Sequence, residues 1–131
     1  MKKKISDFGR ETEVVSRVVV CPDDTNPMGL LKGGRLLQWM DNVSAICAQS
    51  FSGLVCVTAF MNNVKFLRPA RNGEMITIKA KVKRTFNTSM EIYVEAWSRE
   101  VGSDKDLLIN EGDFTFVAIN SEGRPVQVPA L

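Results

Sequence analysis

The sequence contains no histidine among its 131 residues. Histidine is the commonest general base near neutral pH, the usual partner of serine and cysteine nucleophiles, and the commonest metal ligand. An enzyme built from this chain therefore has to work with carboxylates, amides, hydroxyls and backbone N–H groups.

Cysteine is scarce, and Cys21, Cys47 and Cys56 are the only three. An odd number without a C-x-x-C spacing argues against a disulfide framework and against a zinc site, so we expect no metal and a cytoplasmic location. Cys47 and Cys56 lie in apolar runs, and they fit small core residues better than nucleophiles.

Long apolar runs and a strong charge excess are also missing. No segment approaches about 20 uninterrupted apolar residues, and polar residues follow the basic start Met1–Lys4 where a signal peptide would be apolar. The formal charge is +2 with 24% charged residues, far from the basic balance of nucleic-acid-binding proteins. We expect no membrane span, no nucleic-acid partner, and one globular domain over residues 1–131.

Hydrophobic periodicity predicts one long helix and five strands. Residues 12–20 are rich in valine and predict a strand that is buried on both faces or nearly so. From Gly34 to about Phe51, apolar residues recur at three- and four-residue steps, which predicts a helix buried over most of its circumference and ended by Ser52–Gly53. Further strands are predicted at Leu54–Phe66 and at Leu107–Ile119.

Two segments between these strands alternate strictly between apolar and polar residues, over 76–83 and 90–97. One face of each is therefore core and the other is wet. If the two segments form a hairpin centred on Asn87, Lys83 faces Glu91 and Lys79 faces Glu95. The order of elements predicts an α+β fold in which a curved antiparallel sheet wraps around one long central helix.

The loop from Cys21 to Lys32 leads into this helix through the glycine pair Gly33–Gly34. A helix N-terminus offers unpaired N–H groups and about half a unit of positive charge, and glycine lets an oxygen atom approach closely. Asp41 follows Gly34 by two helical turns and so faces the same side. The pattern predicts an oxygen-binding helix end with an acid/base group nearby.

Each of these residues also has a purely structural interpretation. Asp41 could edge a solvated stripe that includes Gln38 and Asn42, and Asn26 precedes a proline, where asparagine is a common turn residue. The glycine pair could be only a flexible connection. Spacing alone leaves these alternatives open.

Four pieces of sequence resemble the hotdog-fold acyl-CoA thioesterases, and they stand in the family's order. They are the Pro22–Gly34 run with its Asp-Thr-Asn and glycines, Leu36–Asp41, Val64–Pro69 followed by Asn72-Gly73-Glu74, and Phe114–Ala118. The resemblance covers roughly residues 12–129. It implies a hotdog fold, a homodimer whose sheets lie edge to edge with acyl-CoA at the interface, and a further assembly, often a hexamer made as a trimer of dimers.

The same resemblance implies catalytic roles. Asp41 is expected to be the acid/base group or the nucleophile, and Asn26 of the opposite protomer is expected to orient water or polarise the substrate. Our own hypothesis, which does not come from the resemblance, is that N–H groups near Gly29, Gly33 and Gly34 hold the developing oxyanion. A thioester suits a chain without histidine, because a thiol with a pKa near ~8.5 leaves as thiolate without a strong acid. Water activation by Asp41 and direct attack by Asp41 are both compatible with the sequence.

By resemblance, coenzyme A passes along the strand end at Phe66–Pro69 and the turn at Arg84–Ser89. Lys83 could instead belong to a solvated basic strand face paired with glutamates, and Phe86 stands where relatives are expected to have glycine. No cofactor is expected beyond coenzyme A as part of substrate and product. The expected binding residues are Phe66, Arg68, Pro69, Lys83, Arg84, Thr88 and Ser89.

Two other functions compete with hydrolysis, and a structural module that binds no ligand is the remaining alternative. A non-catalytic acyl-CoA-binding hotdog module is the first, although such modules usually sit beside another domain and lose the acid that this chain keeps at Asp41. A hotdog dehydratase or hydratase is the second, and it would need a histidine that the chain lacks.

Overall fold

The computed structural model describes residues 12–131. The order of elements is the predicted one, and the bounds of the last strand agree with the prediction. The expectation for Met1–Lys4 lies outside the described residues, and a single domain over 1–131 stays a prediction. The elements are β1 (Glu13–Val19), a short 3-10 helix (Pro22–Asp24), α1 (Gly33–Ser52), β2 (Val55–Phe66), β3 (Met75–Thr85), β4 (Ser89–Arg99) and β5 (Leu107–Ile119).

The five strands form one antiparallel sheet in the order β1-β3-β4-β5-β2. Helix α1 has Cα atoms within 8 Å of every strand of this sheet. In a flat sheet of five strands the outer two would lie about 19 Å apart, which is far wider than one helix. The sheet therefore curves around α1, and the predicted α+β architecture is confirmed.

The core lies between α1 and the concave face of the sheet. The alternation predicted for β3 and β4 is confirmed, because the apolar residues on their inner face are all buried. Helix α1 ends as predicted at Gly53, whose φ of +72° is a left-handed conformation that glycine adopts easily. The largest buried side chains include Phe114, Phe116, Met40, Ile76, Ile78, Met90 and Ile92.

Two predictions of burial were wrong. Only one face of β1 packs on the core, through Val14 and Val18, so Val15 and Val19 on the opposite face are 50% and 53% exposed. Helix α1 buries one face only, and Ile46 on the other side is half exposed. Both errors have one cause, because a run of apolar residues does not show whether an element is covered on one face or on both.

The predicted hairpin register is right along most of its length. Lys79 lies opposite Glu95 as expected. A β-bulge after Val82 then shifts the pairing, so that Arg84 and not Lys83 lies opposite Glu91. The Nζ atom of Lys83 still reaches a carboxylate oxygen of Glu91 at 3.3 Å.

The second edge of the sheet is formed by β2. Four of its apolar side chains, Val55, Val57, Phe60 and Phe66, are between 45% and 61% exposed. An edge strand offers unpaired backbone N–H and C=O groups, and apolar side chains along it favour pairing with another strand. β2 is thus the edge best suited to association with a second chain.

Candidate active site

Asn26 lies in the loop between the 3-10 helix and α1, and its side-chain oxygen closes that loop. Oδ1 accepts hydrogen bonds from the N–H groups of Met28 at 2.9 Å and Leu30 at 3.1 Å. The N–H of Asn26 donates to the carbonyl of Leu30 at 2.8 Å. Asn26 is thus a turn residue, as its structural interpretation predicted.

The amide nitrogen of Asn26 is different, because Nδ2 has no hydrogen-bond partner within residues 12–131. Two backbone donors fix which end of the carboxamide is the oxygen, since an NH2 group cannot accept from them. The side chain is therefore held by its oxygen and presents its NH2 group as a donor.

Gly29 has a positive φ of +77°, which suits glycine in this tight turn. Its N–H donates to the carbonyl of Asn26 at 2.9 Å. An N–H that is already used inside the turn cannot also bind an oxyanion. The predicted oxyanion role of Gly29 is therefore not supported, and Gly29 shapes the loop instead.

The N-terminus of α1 is uncapped. Lys32 makes no side-chain capping hydrogen bond, and the N–H of Leu36 is the one that bonds the Lys32 carbonyl, at 3.0 Å. The N–H groups of Gly33 and Gly34 in the first turn therefore have no helical acceptor. Gly33 also lies against Phe66, because a Cβ at Gly33 would be 3.2 Å from Cε1 of that ring.

Asp41 is half-buried on α1, at the border between the packed face and the exposed Gln38 and Asn42. Its Oδ1 accepts a hydrogen bond of 2.7 Å from the hydroxyl of Thr58 on β2. Thr58 carries no motif that marks it in the sequence. The alternation along β2 offered a signal, because the buried Cys56 two residues earlier points to the same face.

A groove of about 300 Å³ opens beside the N-terminus of α1. It brings together four predicted site residues, Gly33, Phe66, Arg68 and Pro69. Arg68 is the one cation in this lining, and it has no ion pair within the described residues. The complete lining is Leu31, Gly33, Leu36, Phe66, Leu67, Arg68, Pro69, Ala70 and Ile109.

The other predicted coenzyme A contacts do not line this groove of the protomer. Lys83 Nζ lies 3.3 Å from Glu91 and 3.4 Å from Asp113, and Arg84 Nε lies 3.5 Å from Glu91. Both cations already have carboxylate partners, which fits the interpretation of a basic strand face paired with acids. Thr88 and Ser89 lie in the adjoining turn and at the start of β4.

The two buried cysteines, Cys47 and Cys56, have no place in this site. Burial, with the nearby charge of Glu13, raises the pKa of the Cys47 thiol to about 12, and burial also raises the pKa of Cys56. Across residues 12–131, no group of three or more histidine, cysteine, aspartate or glutamate side chains is placed to hold a metal ion. In the same part of the chain, no helix is both long and apolar enough to cross a membrane.

An antiparallel sheet wrapped around one helix, with a carboxylate on that helix, is the architecture of a hotdog-fold protein. Residues 28–104 match the family model described as the thioesterase superfamily. The uncharacterized acyl-CoA thioester hydrolase YkhA of Bacillus subtilis is 33% identical over 124 residues, which are 95% of this chain and 72% of YkhA. The chain therefore belongs to the thioesterase superfamily.

A longer relative is acyl-coenzyme A thioesterase 11 of Mus musculus, which is 38% identical over 111 residues. These residues are 85% of this chain but 19% of the mouse protein. The mouse acetyl-coenzyme A thioesterase is covered to the same extent. The chain thus spans about a fifth of the length of these mouse relatives.

Solved structures agree with the fold. The acyl-CoA hydrolase of Staphylococcus aureus, in complex with butyryl coenzyme A, coenzyme A and coenzyme A disulfide, has a TM-score of 0.86 and 31% identity over 95% of this chain and 74% of its own. Alanine variants of one aspartate, one asparagine and one threonine of that enzyme have also been solved. The hexameric thioesterase y2039 of Yersinia pestis has a TM-score of 0.84 and 31% identity over 91% of this chain and 97% of its own. The predicted hotdog fold is confirmed.

Proposed function

We propose that this chain is an acyl-CoA thioesterase, which hydrolyses fatty or short-chain acyl-CoA to the free acid and coenzyme A. One observation carries the proposal. In the Staphylococcus aureus enzyme, the asparagine, the aspartate and the threonine replaced by alanine follow one another at the same spacings as Asn26, Asp41 and Thr58. Thr58 and Asp41 are joined by a hydrogen bond in this chain, which supports a shared role.

Asp41 is the proposed acid/base group or nucleophile. Because Oδ1 accepts from Thr58, Oδ2 is left to take a proton from water or to attack the thioester carbon. In the first route, the water oxygen bonds to the carbonyl carbon as Asp41 takes its proton. The C–S bond then breaks, and the sulfur leaves as thiolate, which needs no strong acid.

The negative charge that develops on the carbonyl oxygen needs hydrogen-bond donors. The N–H groups of Gly33 and Gly34 are the proposed donors, because they have no helical acceptor and the positive end of the helix dipole adds to their effect. Gly33 also lines the groove beside the helix. A donor of this kind is typically worth about 10²- to 10³-fold in rate.

Asn26 of a second protomer is proposed to complete the site. Its free NH2 group suits a donor to the thioester carbonyl or to the attacking water, whereas its oxygen is already engaged. The apolar edge of β2 supports a homodimer whose sheets lie edge to edge, and the hexameric Yersinia pestis relative supports a further assembly into a trimer of dimers.

Coenzyme A is proposed to lie along Phe66, Arg68 and Pro69. Arg68 is the best candidate for a phosphate contact, because it lines the groove and has no ion pair within the described residues. A phosphate at Lys83 or Arg84 would have to compete with Glu91. The groove itself is mostly apolar, which suits a pantetheine or acyl chain.

The test is a panel of acyl-CoAs of graded length, assayed by thiol release with wild type and with Asp41→Asn. Wild type should release thiol, and the variant should lose at least about 10²-fold in kcat, the usual scale for a general base. Coenzyme A binding, measured by calorimetry, should change little. A blank with protein alone corrects for the exposed thiol of Cys21.

Near-normal hydrolysis by Asp41→Asn would contradict the role of Asp41. Tight acyl-CoA binding without hydrolysis by wild type would favour the non-catalytic binding module. Absence of both binding and hydrolysis would contradict the proposal as a whole.

A further inference from the structure

One residue, Asp24, joins both ends of the Asn26 loop to helix α1 through its carboxylate and its backbone carbonyl. Asp24 is only 8% exposed. Its Oδ2 accepts from the N–H of Cys21 at 2.9 Å, and its carbonyl oxygen accepts from the N–H of Lys32 at 2.9 Å. Its Oδ1 accepts from Nη1 of Arg35 at 2.6 Å. Asp24 thus joins the start of the loop, the end of the loop and the first turn of α1.

The hydrogen bonds of Asn26 itself do not perform this task. Those bonds run to Met28 and Leu30, inside the loop, so they fix the carboxamide relative to the loop alone. Two backbone bonds tie the far side of the loop to the strand connection, from Leu31 to Ala70 and from Asn72 to Gly29. Between the loop and the side chains of α1, the bond from Arg35 to Asp24 is the one ion pair in the described part of the chain.

This bond is well suited to hold a position. It joins a guanidinium to a carboxylate that is nearly buried, and charge-assisted bonds of this kind are shorter and stronger than neutral ones. Asn26 follows Asp24 by two residues. If Asn26 acts in the site of a neighbouring protomer, its loop has to be held rigidly against the rest of its own protomer. A small displacement of a catalytic group is enough to slow a reaction strongly.

We propose that Arg35 and Asp24 are positioning residues, which hold the loop against α1 so that Asn26 reaches the reacting thioester. This inference rests on the proposed function and on the proposed role of Asn26 in it. Arg35 is the better residue to change, because its side chain is partly exposed, whereas the carboxylate of Asp24 also accepts a hydrogen bond from the N–H of Cys21 at the start of the loop.

The test is a double-mutant cycle between Arg35→Met and Asn26→Ala. Methionine keeps much of the length of arginine but cannot donate to Asp24. Arg35→Met should lower kcat about tenfold, a displacement effect, with a smaller change in KM, and Arg35→Lys should restore part of the loss. In the Asn26→Ala background, Arg35→Met should have no further effect on kcat, because the group that it positions is gone.

A matched control is Arg99→Met, which removes another arginine bound to an aspartate, at 2.9 and 3.0 Å from Asp106, away from the loop. It should leave kcat unchanged. Thermal melting should show that all variants are folded at the assay temperature. An equal loss of kcat from Arg35→Met in both backgrounds would overturn the inference, since the effect would not act through Asn26.

Different results would contradict the proposed function and the positioning role of Arg35. If wild type does not hydrolyse acyl-CoA, the proposed activity is wrong. If wild type is active and Asn26→Ala is equally active, the role of Asn26 is wrong and the positioning role of Arg35 is wrong with it. If Asn26→Ala is slow but Arg35→Met is as fast as wild type, only the inference on Arg35 is overturned.

Discussion

The hydroxyl of Thr58 donates a hydrogen bond of 2.7 Å to Oδ1 of Asp41. This bond links the edge strand β2 to the carboxylate of α1, so the orientation of the carboxylate depends on the edge at which a second protomer is proposed to dock. Hydrogen bonds to charged groups are typically worth about 1.5–3 kcal/mol. The bond is therefore strong enough to select one rotamer of Asp41 over others.

Replacing Thr58 by valine should lower kcat by about 10- to 100-fold, because each 1.36 kcal/mol of lost orientation corresponds to a factor of ten. Valine keeps the shape of threonine and removes only the hydroxyl. Thr58→Ser keeps the hydroxyl and should retain most of the activity. Steady-state kinetics with one acyl-CoA checks this, and equal rates for the valine and serine variants would argue that the bond has no catalytic role.

Substitutions can separate the roles of the two ends of the Asn26 side chain, the oxygen that accepts hydrogen bonds in the loop and the NH2 group that is proposed to donate to the substrate. Asn26→Asp keeps an oxygen that accepts from Met28 and Leu30, but it lacks the NH2 group. We expect it to lose about 10²-fold in kcat, the usual value of a donor to the reacting oxygen. Its melting temperature should stay close to that of wild type.

Asn26→Ala is the comparison, because it loses both the accepting oxygen and the NH2 group. It should be as slow as the aspartate variant and also less stable, by about 1 kcal/mol for each net hydrogen bond that is lost. Kinetics and thermal unfolding of the two variants provide the measurement. Wild-type activity in Asn26→Asp would leave Asn26 as a turn residue only.

The inner faces of β3 and β4 could be predicted from the sequence, but the position of each strand in the sheet could not. Alternation of apolar and polar residues placed the inner side of β3 and β4 correctly because the side-chain period of a strand is two. The exposure of Val15 depends on nothing covering the outer face of β1, and the shift at Lys83 depends on a bulge. Neither property leaves a local pattern.

For the site too, the sequence predicted the features that are local in the chain but not the contacts between separate elements. Glycines at a helix start and a carboxylate two turns later are local features, and sequence spacing shows them. The partner of Asp41 is Thr58, which lies on another element and meets it only because β2 folds back beside α1. The loss of Gly29 as a donor likewise depends on a turn hydrogen bond to Asn26 that residue types alone do not reveal.

Gly33 and Gly34 form a matched pair for substitution by alanine. At Gly34 no atom lies within 4 Å of an added Cβ, so alanine should stabilise the helix by about 0.4–1 kcal/mol through a less flexible unfolded chain. At Gly33 the Cβ would lie 3.2 Å from the Phe66 ring, so the gain should be smaller or absent.

Urea unfolding of the two variants measures this difference. The double variant Gly33→Ala with Phe66→Leu should recover the gain seen at Gly34, since the smaller side chain gives room to the new methyl group. Equal stabilisation by the two single substitutions would mean that Phe66 does not restrict Gly33. Gly33→Ala should also raise KM, because the new methyl group would push against the Phe66 ring, and that ring lines the groove.

The three cysteines differ in their exposure, so we expect them to differ in their reactivity. Cys21 is exposed, whereas Cys47 and Cys56 are buried. At pH 8 a thiol reagent should modify native protein quickly at one site, and Cys21→Ser should abolish that fast reaction. The other two thiols should react only after unfolding.

Burial raises the pKa of Cys47 from 9.0 to about 12, so the folded protein keeps this proton where an unfolded chain releases it. The stability linked to this thiol is complete below pH 9, the unfolded value, and it is lost as the pH rises toward 12. Urea unfolding at several pH values above neutral should therefore show a steeper loss of stability for wild type than for Cys47→Ala. Parallel losses in the two proteins would show that Cys47 does not contribute to the alkaline transition.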